Sequence, residues 1–441
     1  MASERAPPML KIKNLQTAFF TDKETIRAVD GITFDIRLGE TVGIVGESGS
    51  GKSVTARSLM GLVESPGRVL DGSSIQFHES DTVRQYASEF SGRVVDVPDL
   101  EGRYDVAELF DRKELTATPE TFGYDSRHEV PLVDVLAAYG PQLGLIDDND
   151  CVFVTRRNGD DPSGITEGFV EITQLEGESL RRMRGDHIAM VFQDPLTSLN
   201  PVYTVGNQIK EALSLHQGIK GKEATREAAR LLEAVGIPDA RRRIKEYPHQ
   251  FSGGMRQRAV IAMALACDPE MLICDEPTTA LDVTIQAQIL DLLDELQDTR
   301  DLSIMFITHD MGVIAETSDR VNVMYAGEIV ESAGVRSLFE NPKHPYTEGL
   351  LKSIPGQQTG DRLNTIEGNV PTPNEPATYC RFAPRCPKAF DECSAVHPRS
   401  VDIETTDTED HTASCLLYPE ELSEQQRIDH HELSSEMENY R

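Results

Sequence analysis

Hydrophobic positions in the first sixty residues predict three strands followed by a helix. Residues 10–13 and 32–36 alternate between apolar and polar side chains, which is the period-two pattern of half-buried strands. Residues 41–45 are almost continuously apolar, as expected for a strand that is buried on both faces. This strand runs directly into a glycine-rich segment at 46–53, after which a helix is predicted to extend to residue 62.

After residue 171 the pattern predicts buried strands that alternate with helices. Short apolar runs indicate strands at 188–192, 271–274 and 303–307. Helical periodicity covers residues 205–235, 255–266 and 285–296. Because buried strands that alternate with helices are typical of parallel sheets, we predict an α/β fold.

The intervening residues 79–170 have a different composition. From residue 79 to residue 167 there are 20 acidic and 8 basic side chains. Short apolar runs at 131–138 and 151–155 favour a folded insertion, with partial disorder as the alternative. We therefore divide the chain into a first core segment, an acidic insertion of unassigned role, a second core segment, a C-terminal extension and a polar tail, at 1–78, 79–170, 171–333, 334–418 and 419–441.

The net charge limits the classes of partner. The chain has 43 basic and 74 acidic residues, a net charge of −31, and the basic residues are 12 Lys and 31 Arg. Such a surface repels polyanions, so we predict no nucleic-acid partner. The scarcity of Lys resembles proteins of salt-accumulating cells such as halophilic archaea; an acidic mesophile protein is the alternative. With no apolar run of ~18 residues and no secretory signal, we expect a soluble cytoplasmic chain.

The glycine-rich segment fits the phosphate-binding loop pattern G-x-x-x-x-G-K-S without a mismatch. Its backbone N–H groups would converge on phosphate at the positive end of a helix. Lys52 would reach the β- and γ-phosphates, and the Ser53 hydroxyl would ligate Mg²⁺. The predicted ATP-binding residues of this loop are Gly46, Glu47, Ser48, Gly49, Ser50, Gly51, Lys52 and Ser53.

Two further segments have the residue types that ATP chemistry requires. Asp275 and Glu276 follow a buried strand, where Asp275 can hold Mg²⁺ and Glu276 can polarise the attacking water. Such an acidic pair alone is more often a helix cap, but an upstream phosphate loop favours the catalytic interpretation. Ser252, Gly253 and Gly254 open a predicted helix and form a second anion site, or else an ordinary N-cap. Since the first loop already holds one triphosphate, we expect the second site to contact a nucleotide bound to another subunit.

In this order, the phosphate loop, the Val-Phe-Gln-Asp-Pro segment, the Ser-Gly-Gly helix, the Asp-Glu pair and the Ile-Thr-His-Asp segment resemble the ATP-binding cassette of ABC transporters. The resemblance covers about residues 10–330 apart from the insertion. It implies a parallel-sheet core, an antiparallel β subdomain and a helical signature subdomain, with ATP hydrolysis as the activity and ATP and Mg²⁺ as ligands.

The resemblance also implies residue roles. Gln193 would sense Mg²⁺ and the attacking water, Asp282 would link two active sites, and His309 would contact the γ-phosphate. Phe19, with Phe20 as the alternative, would stack on adenine.

Finer motifs are similar to the ATPase subunits of oligopeptide/dipeptide importers, a branch that also includes nickel importers. They lie at 192–201, 276–288 and 341–346. The resemblance implies uptake of di- or oligopeptides; import of nickel or another small solute is the alternative, and a soluble non-transport ABC ATPase is a distant one. It implies a second ABC ATPase subunit, so a heterodimer, together with two permease subunits and an extracellular solute-binding protein. The chain would then lie on the cytoplasmic side of the cell membrane.

The C-terminal extension contains four cysteines within 36 residues. This number of thiols suits a four-thiolate metal centre, although the spacing is not the paired C-x-x-C of zinc ribbons. The resemblance implies an iron–sulfur cluster, because some peptide-importer ATPases are thought to carry one here. We expect one [4Fe–4S] cluster, with a zinc ion or unligated thiols as alternatives, at Cys380, Cys386, Cys393 and Cys415.

Overall fold

Strands and helices alternate along most of the chain. The computed structural model describes residues 7–124, 126–159, 161–279, 281–354, 366–403 and 410–432. The strands are β1 Pro8–Phe20, β2 Thr25–Arg37, β3 Thr41–Val45, β4 Gly67–Val69, β5 Ser74–Phe77, β6 Val94–Asp96, β7 Val152–Arg157, β8 Ile165–Glu171, β9 Ile188–Val191, β10 Met271–Asp275, β11 Ser303–Thr308, β12 Arg320–Tyr325, β13 Glu328–Gly334, β14 Ser400–Asp402 and β15 Thr412–Ser414. The α-helices are α1 Lys52–Leu59, α2 Ser80–Glu89, α3 Val97–Glu101, α4 Val106–Leu109, α5 Leu132–Tyr139, α6 Gly177–Arg182, α7 Pro195–Ser198, α8 Val205–His216, α9 Gly221–Ala234, α10 Ala240–Arg243, α11 Gly253–Leu265, α12 Val283–Arg300, α13 Met311–Thr317, α14 Val335–Glu340, α15 Pro345–Lys352 and α16 Glu424–Glu432.

The core is a sheet with the strand order β14-β15-β13-β12-β3-β11-β10-β9. The five strands from β12 to β9 are parallel, which confirms the α/β fold predicted from the buried apolar runs. Every residue of β3 is buried, because helices and the second sheet cover both faces of this central strand. The carboxyl ends of β3, β10 and β11 therefore lie side by side.

The second sheet is mainly antiparallel and has the order β2-β1-β5-β8-β7-β6, with β4 paired to β1. The long β1–β2 hairpin places its two strands beside the first helix. Apolar side chains on β1, β2 and α1 belong to one buried cluster with β3, so the two sheets share a core.

The residues of the acidic insertion extend this second sheet and build a hydrophobic cluster of their own. Leu136 of α5 is fully buried there, and the rings of Phe153 and Phe169 stack with their centroids 5.0 Å apart. The buried carboxylate of Asp134 accepts hydrogen bonds from Lys13 on β1 at 2.8 Å. The described part of the insertion is therefore folded and is attached to the cassette by backbone pairing and by an ion pair.

A helical region follows β9. The single helical run predicted at 205–235 is two helices, α8 and α9, because the chain turns at Gly218 and Gly221, which both have positive φ. Helices α8, α9 and α11 bury their apolar faces in the main core cluster. No helix among the described residues combines the length and apolarity needed to cross a bilayer.

The C-terminal extension continues the main sheet. Strand β15 pairs with β13, and β14 pairs with β15. The buried carboxylate of Glu331 on β13 accepts hydrogen bonds from the backbone N–H groups of Lys343 and His344 and contacts Nε2 of His411 at 2.8 Å. The segment predicted as a polar tail contains α16, which buries Ile428 against the extension.

Candidate active site

The phosphate-binding loop connects the end of β3 to the start of α1, as the sequence predicts. Gly51 is the N-cap residue of α1 and has a φ of 107°, while Ser48 and Gly49 are exposed at the tip of the loop. The first turn of α1 contains no acidic residue. The backbone N–H groups at the positive end of this helix are therefore available to an anion.

Two glycines are required because other backbone segments approach the loop closely. A Cβ atom at Gly46 would lie 2.2 Å from the carbonyl oxygen of Met324, and one at Gly51 would lie 2.3 Å from the carbonyl oxygen of Ala28. These carbonyls belong to β12 and β2, so the loop is wedged between the two sheets. Any side chain at either position would force the backbone apart.

Lys52 is buried, with 5% of its surface exposed, and its ammonium group lies inside the loop. Its Nζ donates hydrogen bonds to the carbonyl oxygens of Gly46 at 2.7 Å and Glu47 at 3.0 Å. Burial lowers the pKa of Lys52, and the nearby carboxylates of Glu276, Asp275 and Glu47 oppose that shift. The ammonium group is thus placed where phosphate oxygens can replace the two carbonyl groups.

Ser53 and Asp275 form the pair of oxygen donors expected for Mg²⁺. The Ser53 hydroxyl donates to Oδ1 of Asp275 at 2.8 Å, and Asp275 is buried at the end of β10. Burial raises the pKa of Asp275, and the hydrogen bond from Ser53 opposes the rise. One carboxylate and one hydroxyl fit Mg²⁺, which usually takes few protein ligands and completes its shell with phosphates and water.

Glu276 is the centre of a hydrogen-bond network. Gln193 Nε2 donates to its Oε2 at 2.9 Å, the Thr279 hydroxyl donates to the same oxygen at 2.8 Å, and His309 Nδ1 lies 3.2 Å from Oε1. The residue has a φ of +48°, an uncommon value for a residue with a side chain. The end of β10 therefore brings together Gln193, Glu276 and His309 from three separate segments.

The network also sets the charge state of Glu276. Burial acts to raise its pKa, but hydrogen bonds from Thr279 and His309 and the charge of Lys52 outweigh it, so the pKa lies below the usual value. The carboxylate is therefore ionised at neutral pH and can accept a proton from water. His309 is 59% exposed, which leaves its ring accessible to a ligand above the loop.

The other predicted nucleotide contacts are at helix N-termini and, among the described residues, form no hydrogen bond of the Glu276 network. Ser252 caps α11 by accepting a hydrogen bond from the Met255 N–H, and both Ser252 and Gly253 are exposed. Asp282 caps α12 and accepts from the Ile285 N–H at 3.0 Å. Within one chain, Gly254 packs against the side chain of Ile285, where a Cβ would lie 2.5 Å away.

The two candidate adenine residues differ in environment. Phe19 is half-buried and its ring covers Gly67, where a Cβ atom would lie 2.6 Å from Phe19 Cε1. Phe20 is 40% exposed and has the guanidinium of Arg68 over its ring at 4.6 Å. The alternative, Phe20, is therefore the residue with a ring face near solvent.

Sequence reasoning missed three side chains that touch the predicted site. Thr279 bonds to Glu276, and its position within the 276–288 motif is the signal that could have suggested it. Tyr346 and Arg385 of the extension contact Glu47 of the phosphate loop. No local pattern links them to the loop, because about 300 residues of chain intervene.

The four cysteines of the extension lie in one neighbourhood. Cys380 and Cys386 pack against the main core cluster, Cys380 also packs against the cluster that contains Cys393, and Cys415 belongs to a third cluster. The Cys380 N–H donates to the Cys393 carbonyl at 3.1 Å. Burial raises the pKa of Cys380 and of Cys415 to about 12, and the other three thiols contribute to the shift at Cys415. Within the described part of the chain, no group of three or more His, Cys, Asp or Glu side chains is placed to hold a metal ion. The described residues therefore give no support to the predicted cluster.

Comparisons with known proteins agree with this geometry. A model of the ABC transporter family matches residues 29–134 and 162–279, and the break lies inside the insertion. A model of the oligopeptide/dipeptide transporter C-terminal region matches residues 330–393.

Among curated proteins, the oligopeptide transport ATP-binding protein AppD of Bacillus subtilis is 42% identical over 421 residues, which are 95% of this chain and 99% of AppD. The dipeptide transport ATP-binding protein DppD of the same organism is 39% identical over 429 residues, which are 97% of this chain and 98% of DppD. The solved dimeric structure of MJ0796, a bacterial ABC transporter cassette, aligns with a TM-score of 0.48 and 21% identity, covering 74% of this chain and 99% of that one.

The two sheets, the wedged phosphate loop and the carboxylates at the end of β10 define an ATPase of the ATP-binding cassette class. The chain belongs to the ABC transporter family, and within it to the ATP-binding proteins that have the oligopeptide/dipeptide transporter C-terminal region.

Replacing Glu276 by Gln should slow ATP hydrolysis by about 100-fold or more, because the amide cannot accept the proton of the attacking water. ATP binding should remain, since the phosphate loop is unchanged. Lys52→Ala is the matched control and should weaken nucleotide binding itself. Steady-state hydrolysis and fluorescent-nucleotide binding measure the two effects, and wild-type hydrolysis by Glu276→Gln would contradict the role of this residue.

Proposed function

We propose that the chain couples ATP binding and hydrolysis to the uptake of di- or oligopeptides. The observation that carries the proposal is the convergence of the hydrolysis side chains at the end of β10, on a chain whose extension matches the oligopeptide/dipeptide transporter region. The printed names of the relatives, oligopeptide and dipeptide transport ATP-binding proteins, support the choice of solute. Import of nickel or another small solute remains the alternative from the sequence.

In the proposed reaction, the loop at 46–53 and Lys52 bind the β- and γ-phosphates. Ser53 and Asp275 would hold Mg²⁺, which screens phosphate charge during transfer. Glu276 orients the attacking water and accepts its proton, while Gln193 and Thr279 hold the carboxylate in place. His309 already points its ring at Glu276 and would contact the γ-phosphate.

The exposed N-terminus of α11 supports a head-to-tail dimer. Ser252 and Gly253 present a helix N-terminus to solvent in a single chain, and such a terminus attracts phosphate. In the proposed dimer, it completes the nucleotide site of the second subunit, and Asp282 lies near the junction. A different ABC ATPase is the proposed second subunit, as the family resemblance implies.

The surface around Gln193 supports docking of permease subunits. Phe192, Val202 and Tyr203 are 37%, 70% and 55% exposed, and these large apolar side chains all lie within ten residues of Gln193 in the sequence. A permease segment bound here would touch Gln193 and so connect hydrolysis to transport. Two permease subunits would hold the chain on the cytoplasmic side of the membrane, and an extracellular binding protein would deliver the solute.

The metal centre at the four cysteines remains a prediction from the sequence. The number of thiols and their mutual electrostatic influence at Cys415 support it. The described residues contain no group of three or more side chains placed to hold a metal ion, which favours the alternative of unligated thiols. No step of the proposed reaction involves this centre.

Transport can be tested in cells that express the complete transporter and lack other peptide importers. We expect ATP-dependent uptake of a labelled dipeptide or oligopeptide, and we expect Glu276→Gln to abolish it while the complex still assembles. Uptake of labelled nickel without uptake of peptide would support the alternative and would overturn the proposed solute.

The dimer can be tested by cross-linking in the assembled transporter. We expect a cysteine in place of Ser48 to cross-link, when ATP is bound, with a cysteine at the position of the second subunit that corresponds to Ser252. Both positions would face the same nucleotide. A pairing of Ser48→Cys with a cysteine at the equivalent phosphate-loop position of the second subunit is the control and should not cross-link. Failure of the first pairing in active complexes would contradict the head-to-tail arrangement.

Metal analysis of anaerobically purified protein tests the cysteine centre. The sequence prediction requires about four iron and four labile sulfide per chain, with a loss of iron in Cys393→Ser. One zinc without sulfide would replace the cluster by a zinc site. If the protein contains neither iron nor zinc, the four thiols are unligated.

A further inference from the structure

The C-terminal extension reaches the phosphate-binding loop through one arginine. Arg385 forms a two-point contact with the Glu47 carboxylate, with Nη1 donating to Oε2 at 2.7 Å and Nη2 donating to Oε1 at 3.0 Å. The side chain of Arg385 is only 6% exposed, so solvent screens the pair weakly. Glu47 is the second residue of the loop.

The guanidinium of Arg385 is held by the extension itself. Nε donates to the Glu367 carbonyl at 2.9 Å, and Nη2 also reaches the carbonyl oxygens of Ile366 and Gly368 at 3.2 Å. The hydrogen bonds with Glu47 raise the pKa of Arg385, so its charge is permanent. The extension thus presents a fixed positive charge to the loop.

A second residue of the extension holds the backbone at the same place. The Glu47 N–H donates to the Tyr346 hydroxyl at 2.9 Å. The Tyr346 ring is fully buried, and it packs against Tyr325 and Phe382 with centroid distances of 4.7 Å and 5.3 Å. Both the side chain and the backbone of Glu47 are therefore fixed by residues beyond the catalytic core.

This contact has an electrostatic consequence for nucleotide binding. The loop must receive a triphosphate, yet it contains a carboxylate, and like charges at short distance oppose each other. The Glu47 carbonyl also accepts a hydrogen bond from Lys52, whose ammonium must turn towards phosphate. An unpaired Glu47 side chain would repel the phosphates and attract Lys52.

We propose that Arg385 is a positioning residue for ATP: it neutralises Glu47 and holds the loop ready for the phosphates. The inference rests on nucleotide binding at residues 46–53 and adds the extension to that site. It explains why the extension is folded onto the cassette next to the loop. If Arg385 served only to stabilise the fold, the ion pair would still matter, but the charge of Glu47 would not affect the affinity for ATP.

The test compares binding of a fluorescent ATP analogue to the purified full-length chains, and steady-state hydrolysis by the assembled transporter that contains each variant. Arg385→Ala should raise the Kd for nucleotide about tenfold, which corresponds to about 1.4 kcal/mol, and should raise KM with little change in kcat. Arg385→Lys should recover part of the affinity because the charge returns. Thermal unfolding shows whether each variant is folded. If Arg385→Ala is not folded, Arg385→Gln is used in its place.

The decisive variant is the double substitution Arg385→Ala with Glu47→Gln. Removing the carboxylate should restore nucleotide affinity relative to Arg385→Ala, although the ion pair is still absent. If the double variant binds as weakly as Arg385→Ala, or if Arg385→Ala binds normally, the proposal is wrong. Lys52→Ala distinguishes a failure of this proposal from a failure of the nucleotide-site assignment. If Lys52→Ala binds nucleotide normally, residues 46–53 are not the phosphate-binding loop.

Discussion

The position of the phosphate-binding loop depends on close backbone contact between the two sheets. At Gly46 and Gly51, carbonyl oxygens of β12 and β2 occupy the space where a side chain would begin. The Gly327 N–H donates to the Ser50 carbonyl, and the Asp30 N–H donates to the Gly327 carbonyl, so the β12–β13 turn joins the loop to β2. Since both sheets hold the loop, its shape is set before a nucleotide arrives, which reduces the entropy lost on binding.

Two adjacent carboxylates at the end of β10 have been given opposite environments by this packing. Asp275 is buried beside Ser53 and its pKa is raised, whereas Glu276 turns out through a left-handed backbone and its pKa is lowered. A pair of neighbouring acids with separated pKa values is typical of groups with different tasks. Here one acid is suited to a metal ion and the other to a water molecule.

Much of the fold and the nucleotide motifs could be predicted from the sequence, because they depend on patterns among residues that are close together along the chain. The strand–loop–helix around Lys52 and the strand ending at Asp275 need only short-range patterns, and the parallel sheet brings their ends together. The contacts of Arg385 and Tyr346 with Glu47 could not be predicted, since nothing in the spacing of residues 300 positions apart specifies a contact. For the cysteines, their number favoured a shared centre, but whether the thiols converge on a metal ion is a tertiary property that composition does not report.

The insertion leaves the cassette after Phe77 and rejoins it at Val170, and these two residues are register partners on β5 and β8. The ends of a long excursion are therefore already adjacent once the antiparallel pair forms. Loop-closure entropy grows only with the logarithm of length, so the excursion adds little to the cost of closing that pair. The insertion has its own core around Leu136, but Val83, Tyr86 and Val152 lie in the cluster shared with β1 and β3, so its folding is coupled to that of the cassette. The insertion therefore lies between two strands that pair directly with each other, and a short turn between β5 and β8 would make them an ordinary hairpin.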